Sequence, residues 1–284
     1  MSEATRTARA LLATPLGIPG SGRVRYGAAM ALWRAGEMSL ADLEAYRVCA
    51  SLDGEDPAKL SAAPPQLSGP DRATAIRTAI AAIDDYLAAL PGPGIAEVRA
   101  AITAQGGGPV AAAGAVRSPP LSLLGPALPG LRTTHPALAL AIETVAPHLD
   151  WTTYDLYPAE EIGPAFAGGH AFANLIDPGG PVAAPDFCLG LFVIAPHVFY
   201  RDHCHPAPEL YAPLTGPHGW RFRPGAPIVP RPAHRPVWNA PNRPHATKVG
   251  PVPFLAVFAW TRDVMAPARI LPAPDWAAIE AYPS

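Results

Sequence analysis

Histidines are concentrated in one stretch of this 284-residue chain. Five of the nine lie between His197 and His234, and two of these, His203 and His205, are separated by a single cysteine. In a β-strand, residues i and i+2 point to the same face and lie about 6.6 Å apart. Both imidazoles can therefore face one interior, and imidazole nitrogens are common ligands of divalent metals.

A glutamate and a tyrosine, Glu209 and Tyr211, repeat the same spacing immediately downstream. A straight strand from residue 203 to 211 would span roughly 26 Å, which is too long for one coordination sphere. Pro206 and Pro208 lie between the two pairs. Because a proline fixes φ and removes a backbone donor, we expect the chain to bend there and bring the two pairs together.

His245 is a further ligand candidate, placed on a later predicted strand at the end of the sequence NAPNRPH. An isolated histidine is usually a surface or loop residue, but H-x-H-x3-E-x-Y followed by P-x-x-P-H is a cluster of metal-binding residue types. Nitrogen and carboxylate ligands together suit Fe(II), Mn(II), Ni(II), Co(II) or Zn(II). The pattern predicts one divalent metal ion and leaves open which residues bind it.

The composition excludes several classes of protein. Hydrophobic residues make up 49% of the chain and charged residues 15%, which is unlike a disordered polyelectrolyte. A net charge of −2 provides no basic surface for nucleic acid or anionic lipid. The early apolar run is too short for a secretory signal or a membrane span. We expect a cytoplasmic protein that acts on a small molecule, without a nucleic-acid or membrane partner.

Residues 1–130 are predicted to form a helical N-terminal region. Apolar residues recur there at steps of three and four, and Gly106–Pro129 has the composition of a linker. A last helix, capped by Thr134, follows this linker and precedes the predicted strands. The predicted helices are Arg23–Gly36, the run that follows Ser39, Asp71–Leu90, Ile95–Gln105 and Thr134–His148.

Residues 131–284 are predicted to form a second, mainly β domain. Short runs of aromatic and β-branched residues separated by proline and glycine indicate an antiparallel sandwich or barrel. No internal sequence repeat is present, so a single barrel is expected. The predicted strands are Phe187–Ile194, His197–Arg201, Glu209–Leu214, Trp220–Arg223, Arg235–Asn239 and Phe254–Trp260.

The stretch His203–Glu209 resembles the first cupin motif, H-x-H-x3–4-E, and Asn239–His245 resembles the second. The longer string from Tyr200 to Tyr211 resembles, more narrowly, the cupin-type dimethylsulfoniopropionate (DMSP) lyases, the DddQ-like group. The resemblance covers roughly residues 150–265. It implies a mainly β fold, in which a cupin barrel, an antiparallel double-stranded β-helix, follows the α-helical N-terminal region.

The resemblance also implies an activity and a role for each site residue. DMSP lyases cleave a small carboxylate substrate by β-elimination to dimethyl sulfide and acrylate. Tyr211 is implied as the base, with His203 and Tyr200 lining the pocket and Trp260 as a further substrate-binding residue. The implied ligands of the single divalent metal are His205, Glu209, Tyr211 and His245.

Two other functions remain open from the sequence. One is another metal-dependent cupin enzyme, a dioxygenase or an isomerase, against which Tyr211 argues because such a site does not need a tyrosine there. The other is a non-enzymatic ligand-binding cupin. The native metal and the oligomeric state are also open, although cupins commonly pair as homodimers. Lys248 is expected at a solvated strand end and His218 on the surface.

Overall fold

The computed structural model describes residues 3–57, 59, 71–112 and 120–281. The chain divides into two compact units, Met1–Gly69 and Pro70–Ser284. Within the described ranges, no helix is both long and apolar enough to cross a membrane.

The described part of the first unit is helical. The Ser39 hydroxyl accepts a hydrogen bond from the Asp42 backbone N–H, which confirms the helix start predicted there. The Asp53 carboxylate accepts hydrogen bonds from the backbone N–H groups of Gly20 and Gly22, so it satisfies donors at the start of another helix. The helices are α1 (Glu3–Leu12), α2 (Ser21–Arg34) and α3 (Leu40–Val48).

The described part of the second unit begins with four helices and contains three shorter ones. Asp71 accepts a hydrogen bond from the Thr74 backbone N–H and so caps the first, close to its predicted start. The helices are α4 (Arg72–Ala88), α5 (Ile95–Gln105), α6 (Leu121–Thr134), α7 (Pro136–Val145), α8 (Ala159–Ile162), α9 (Pro164–Gly168) and α10 (Trp276–Ala281).

Helix α6 corrects the predicted linker. Residues 113–119 of that linker lie outside the described residues, but from Leu121 onward the chain is helical although it contains two prolines. The reason is a stripe of leucines at helical spacing, Leu124, Leu128 and Leu131, which are all buried. Thr134 ends α6 and does not cap α7, which has Pro136 in its first turn as predicted.

Eleven strands among the described residues form two sheets, and all the paired strands are antiparallel except β1 and β2. The six-stranded sheet has the order β2-β1-β3-β10-β5-β8, and the five-stranded sheet has the order β11-β4-β9-β6-β7. The strands are β1 (His170–Asp177), β2 (Val182–Ala183), β3 (Cys188–Ile194), β4 (Phe199–Cys204), β5 (Glu209–Pro213), β6 (His218–Arg221), β7 (Val229–Arg231), β8 (Val237–Asn239), β9 (His245–Lys248), β10 (Phe254–Trp260) and β11 (Arg269–Ile270).

The six-stranded sheet is buried on both faces, and its side chains alternate between two cores. On strand β10, Leu255 and Val257 pack with the helices, whereas Phe254 and Phe258 pack in the interior between the sheets. Strand β5 follows the same rule: Leu210 belongs to the helix-facing core. Glu209 and Tyr211, one position to either side of it, therefore point into the barrel, as predicted from their spacing.

The predicted boundary after residue 130 falls within helix α6, which packs in the core that the helices share with the barrel. Helices α4 to α7 bury their apolar stripes in the same hydrophobic cluster as the outer face of the six-stranded sheet. Ile83 of α4 and Ile142 of α7, for example, are fully buried in that cluster together with Leu191 of β3. Helices α4 to α7 therefore form one compact unit with the barrel, because neither layer could bury its apolar face alone.

Candidate metal and substrate site

Two of the candidate histidines lie on neighbouring strands of the five-stranded sheet. His203 on β4 lies directly opposite His245 on β9 in the antiparallel ladder. β4 ends at Cys204 and β5 begins at Glu209, so the chain passes from one sheet to the other through the proline-containing segment. This is the bend expected from Pro206 and Pro208. It places His205 beside Glu209 across the barrel interior.

Each of the three imidazoles is fixed by a hydrogen bond to a backbone carbonyl. Nδ1–H of His203 donates to the Arg201 carbonyl at 2.8 Å. His205 donates in the same way to Ala207 at 2.8 Å, and His245 to Arg243 at 2.9 Å. Because a carbonyl can only accept, Nδ1 carries the proton in all three rings. In the neutral rings, each Nε2 therefore presents a lone pair.

These lone pairs converge on a carboxylate oxygen. Nε2 of His205 and Nε2 of His245 lie 3.4 Å and 3.3 Å from Oε2 of Glu209. Both nitrogens are buried and make no hydrogen bond with the described residues. Three electron-rich atoms so close together repel one another unless a cation lies between them. Zinc–nitrogen bonds of about 2.0–2.1 Å in a tetrahedral site would separate ligand atoms by about 3.3–3.4 Å.

His203 lies beside this cluster, with its ring centroid 4.0 Å from that of His245. One ring nitrogen from each of His203, His205 and His245 lies within 4.8 Å of the other two, and all three residues are buried. Burial and the neighbouring histidines hold the pKa of His203 well below its usual range, so its ring is neutral. A neutral imidazole can bind a metal or serve as a polar wall of the pocket.

Glu209 is ionised although it is fully enclosed. Burial opposes ionisation, but attraction to and hydrogen bonds from His205 and His245, when these rings are protonated, hold the pKa of Glu209 well below its usual value. A divalent cation between the three groups would take the place of those protons. Two uncharged donors also hold the carboxylate: Asn239 Nδ2 donates to Oε2 at 2.9 Å, and Trp260 Nε1 donates to Oε1 at 2.8 Å. The donor set of two imidazoles and a carboxylate therefore fits a divalent cation.

Tyr211 follows Glu209 on the same face of β5. Burial, and then the charge of Glu209, raise the pKa of Tyr211 well above its ordinary value. The phenol is therefore protonated when no cation is near. Its ring lies between Phe192 and Phe254, with centroids 6.1 Å and 5.9 Å away, so its position is set by packing.

A cavity of about 240 Å³ opens onto these residues, a volume that suits a small substrate. Lys and Arg are absent from the described residues that line it. The polar lining includes His203, His205, Glu209, Tyr211, Asn174 and Asp177. The aromatic lining consists of Tyr154, Tyr157, Phe172, Phe192, Tyr200, Phe258 and Trp260.

Tyr200 and Trp260, the two aromatic residues predicted to contact substrate, both line the cavity. The Tyr200 ring stacks on His203 at 3.9 Å, and its hydroxyl lies 3.1 Å from that of Tyr157. Trp260 stacks on His205 at 4.4 Å in addition to its hydrogen bond to Glu209. Trp260 thus contacts two candidate ligands, a position that the sequence alone did not indicate.

Some residues differ from expectation or were missed. Lys248 is buried, with its ammonium donating to the His197 carbonyl at 2.7 Å, and His218 is buried as well, so neither is solvated. Asn239, noted in the sequence only as the start of the second motif, is the partner of Glu209 in the β5–β8 ladder. That pairing is a long-range register, which residue spacing does not encode.

Comparison with known proteins gives consistent sequence matches. A family model for DMSP lyases matches residues 98–256, more than half of the chain. The chain is 29% identical over 150 residues to dimethylsulfoniopropionate lyase DddQ of Ruegeria pomeroyi, a match that covers 52% of this chain and 73% of that protein. It is 29% identical over 134 residues to the putative dimethylsulfoniopropionate lyase DddL of Cereibacter sphaeroides, covering 46% of this chain and 54% of that protein.

The fold is also shared with a solved structure. The crystal structure of DMSP lyase DddQ from Ruegeria pomeroyi superposes with a TM-score of 0.57 at 24% identity, covering 69% of this chain and 96% of that one. This likeness confirms the predicted fold, a cupin-type barrel preceded by helices. Together with the family model, which spans the predicted ligands, it leads to one conclusion. The chain belongs to the dimethylsulfoniopropionate lyase family of carbon–sulfur lyases.

Proposed function

We propose that this protein cleaves dimethylsulfoniopropionate by β-elimination, releasing dimethyl sulfide and acrylate, with the help of one divalent metal ion. The observation that carries the proposal is the convergence of two unpartnered imidazole nitrogens on the Glu209 carboxylate beside a small aromatic cavity. The family membership supports the substrate, and the buried donor set supports the metal.

His205, Glu209 and His245 would hold the metal, with Tyr211 as a fourth ligand. A divalent cation at this site would polarise the substrate carboxylate and favour the phenolate form of Tyr211. The protein contributes the fixed orientation of the ligands. Each imidazole is held through Nδ1, and the carboxylate is held through Asn239.

Tyr211 would remove the proton from the carbon next to the substrate carboxylate. The proton passes to the phenolate oxygen, and the electron pair left on carbon forms the double bond of acrylate. The carbon–sulfur bond breaks at the same time, and dimethyl sulfide leaves with the bonding electrons. The phenol then returns its proton to solvent. Because burial and Glu209 raise the pKa of Tyr211, the reaction should depend strictly on a bound cation.

The aromatic lining would accommodate the dimethylsulfonium group. A methylated cation is attracted to the negative face of an aromatic ring, as quaternary ammonium groups are. Tyr200 and Trp260 lie on the cavity wall beside the candidate ligands. We assign to them the substrate contacts, together with the neutral ring of His203.

The proposal is tested by measuring dimethyl sulfide in the headspace of purified, metal-analysed protein supplied with DMSP. We expect release from the parent protein and a loss of at least about 100-fold in Tyr211→Phe. Tyr154→Phe is the matched control, because it removes another cavity phenol without touching Glu209. Full activity in metal-bound Tyr211→Phe would reject the base, and no release from the metal-loaded parent would reject the substrate.

A further inference from the structure

Strand β1 is irregular where it passes the cavity. Its register against β3 shifts between Asn174 and Ile176. Before the shift, Phe172 and Asn174 line the cavity, while Leu175 packs in the core shared with the helices. After the shift, Ile176 packs in that core and Asp177 lines the cavity. In a regular strand Asp177 would share the face of Leu175, so the bulge is what turns its carboxylate toward the cavity.

The Asp177 carboxylate is held in this orientation by uncharged donors. Asn174 Nδ2 donates to Oδ2, and the Gly179 backbone N–H donates to Oδ1 at 2.7 Å. Neither group carries a charge, so these hydrogen bonds orient the carboxylate without neutralising it. A fixed negative charge beside a largely aromatic wall is an environment that favours a cation.

Asp177 lies at the mouth of the cavity. A second cleft on the protein shares Phe172, Asn174, Asp177 and Met265 with the cavity, so these residues form the boundary between the two. Met265 is 80% exposed, which places this boundary at the surface. A molecule that entered from this side would pass Asp177 before it reached Glu209.

The charges of the two carboxylates act on the same space. Cys188 lines the cavity, and its pKa is raised by burial and then by the charges of Asp177 and Glu209. The Glu209 charge is offset when a metal is bound, but nothing in the cavity lining offsets Asp177, because no Lys or Arg is among the described lining residues. The adjoining cleft, which shares Asp177, adds one guanidinium, Arg72, and a second carboxylate, Asp150. Two carboxylates against one guanidinium leave the mouth with a net negative charge in the metal-loaded protein.

We propose that Asp177 is a specificity-determining residue that selects substrates by the positive charge of their leaving group. The carboxylate end of the substrate would lie at the metal ligands and the sulfonium end near Asp177. This inference rests on the proposed function and deepens it. The preferred substrates would then be zwitterions that carry a carboxylate at one end and a methylated cation at the other. A carboxylate of similar shape whose other end is an uncharged thioether would be disfavoured.

The test uses two unreactive ligands of the same shape, 3-(trimethylammonio)propionate, which is cationic at one end, and 4,4-dimethylpentanoate, which is not. Their dissociation constants are measured by calorimetry on the metal-loaded protein. We expect the parent protein to bind the trimethylammonio ligand more tightly than 4,4-dimethylpentanoate. Asp177→Asn should weaken binding of the trimethylammonio ligand about five- to tenfold and leave the dissociation constant of 4,4-dimethylpentanoate unchanged. The difference should shrink as the salt concentration rises.

Two further variants keep this result interpretable. Asp186→Asn removes the same charge from an exposed carboxylate that accepts the Val264 backbone N–H but does not line the cavity, so the ligand preference should persist. Asp177→Glu keeps the charge and should keep the preference. If Asp177→Asn weakens both ligands equally, or neither, the proposal is wrong. Headspace release by the parent is scored separately, so a protein that binds the cation through Asp177 without releasing dimethyl sulfide would disprove only the proposed reaction.

Discussion

The Glu209 carboxylate is restrained at both oxygens. Trp260 Nε1 donates to Oε1, and Asn239 Nδ2 donates to Oε2, the same oxygen that approaches His205 and His245. Each donor occupies a lone pair, so the carboxylate cannot rotate without losing a buried hydrogen bond. Residues that touch ligands in this way fix the geometry of a metal site although they bind no metal themselves.

Asn239→Leu tests this role at the scale of one residue. The substitution keeps the size of the side chain and removes the donor to Oε2 of Glu209, so we expect metal affinity to fall about 10- to 100-fold. The measurement is competition for the metal with a chelator of known affinity. Trp260→Phe, which retains a ring beside His205 but loses the donor to Oε1, should weaken binding in the same direction. Unchanged affinity in both variants would contradict a positioning role.

Only part of the site was predictable from residue spacing. The i, i+2 spacing predicted that His203 and His205 share one face and that Glu209 and Tyr211 share one face. This prediction needs only the alternation of side chains along a single strand. The contact of Asn239 with Glu209 was not predicted because it depends on which strand lies beside β5. Asp177 was not predicted because the bulge in β1 sets the direction of its side chain, and the alternation of residues along the sequence does not reveal that bulge.

The same distinction holds for the elements. Strands with continuous apolar runs, such as β3 and β10, were predicted nearly to the residue because burial on both faces leaves a clear signal. Among the strands of three or more residues, β1 and β7 were missed. The first contains Asn174 and a bulge, and the second has a proline at an exposed edge of its sheet, so neither has the expected composition or period.

Gly94, at the start of α5, allows that helix to pack closely against strand β8, which carries Asn239. Gly94 has φ +81°, and a Cβ built on it would lie 2.0 Å from a Trp238 ring carbon. We expect Gly94→Ala to lower the free energy of unfolding by about 2–4 kcal/mol, from backbone strain and overpacking. Urea denaturation measures this change. Gly125→Ala in α6 is the control, because it meets open space and should be neutral or stabilising. Equal effects of the two substitutions would contradict the argument.

At the scale of the whole molecule, four histidines are kept neutral by the fold. Burial lowers the pKa of His170, His203, His218 and His234. The neutral state of His218 is also required by its hydrogen bonds, since the Gly250 backbone N–H donates to Nδ1 and Nε2–H donates to Thr215. Protonation would remove an acceptor and place a charge in the interior. The folded chain therefore resists binding protons that the unfolded chain accepts.

This resistance predicts a loss of stability in acid, to which His218 contributes a definable share. Its pKa is about 4 in the folded protein and near 6.5 in a solvated chain, so the unfolded state binds more protons between these values. Its contribution to the free energy of unfolding is complete above pH 6.5 and falls, by about 3 kcal/mol in total, as the pH drops to 4. Urea denaturation from pH 8 to 4.5 should show a shallower pH dependence in His218→Gln, which cannot bind that proton. Parallel curves for the parent and the variant would mean that His218 titrates normally, and the acid sensitivity would then belong to the other buried histidines.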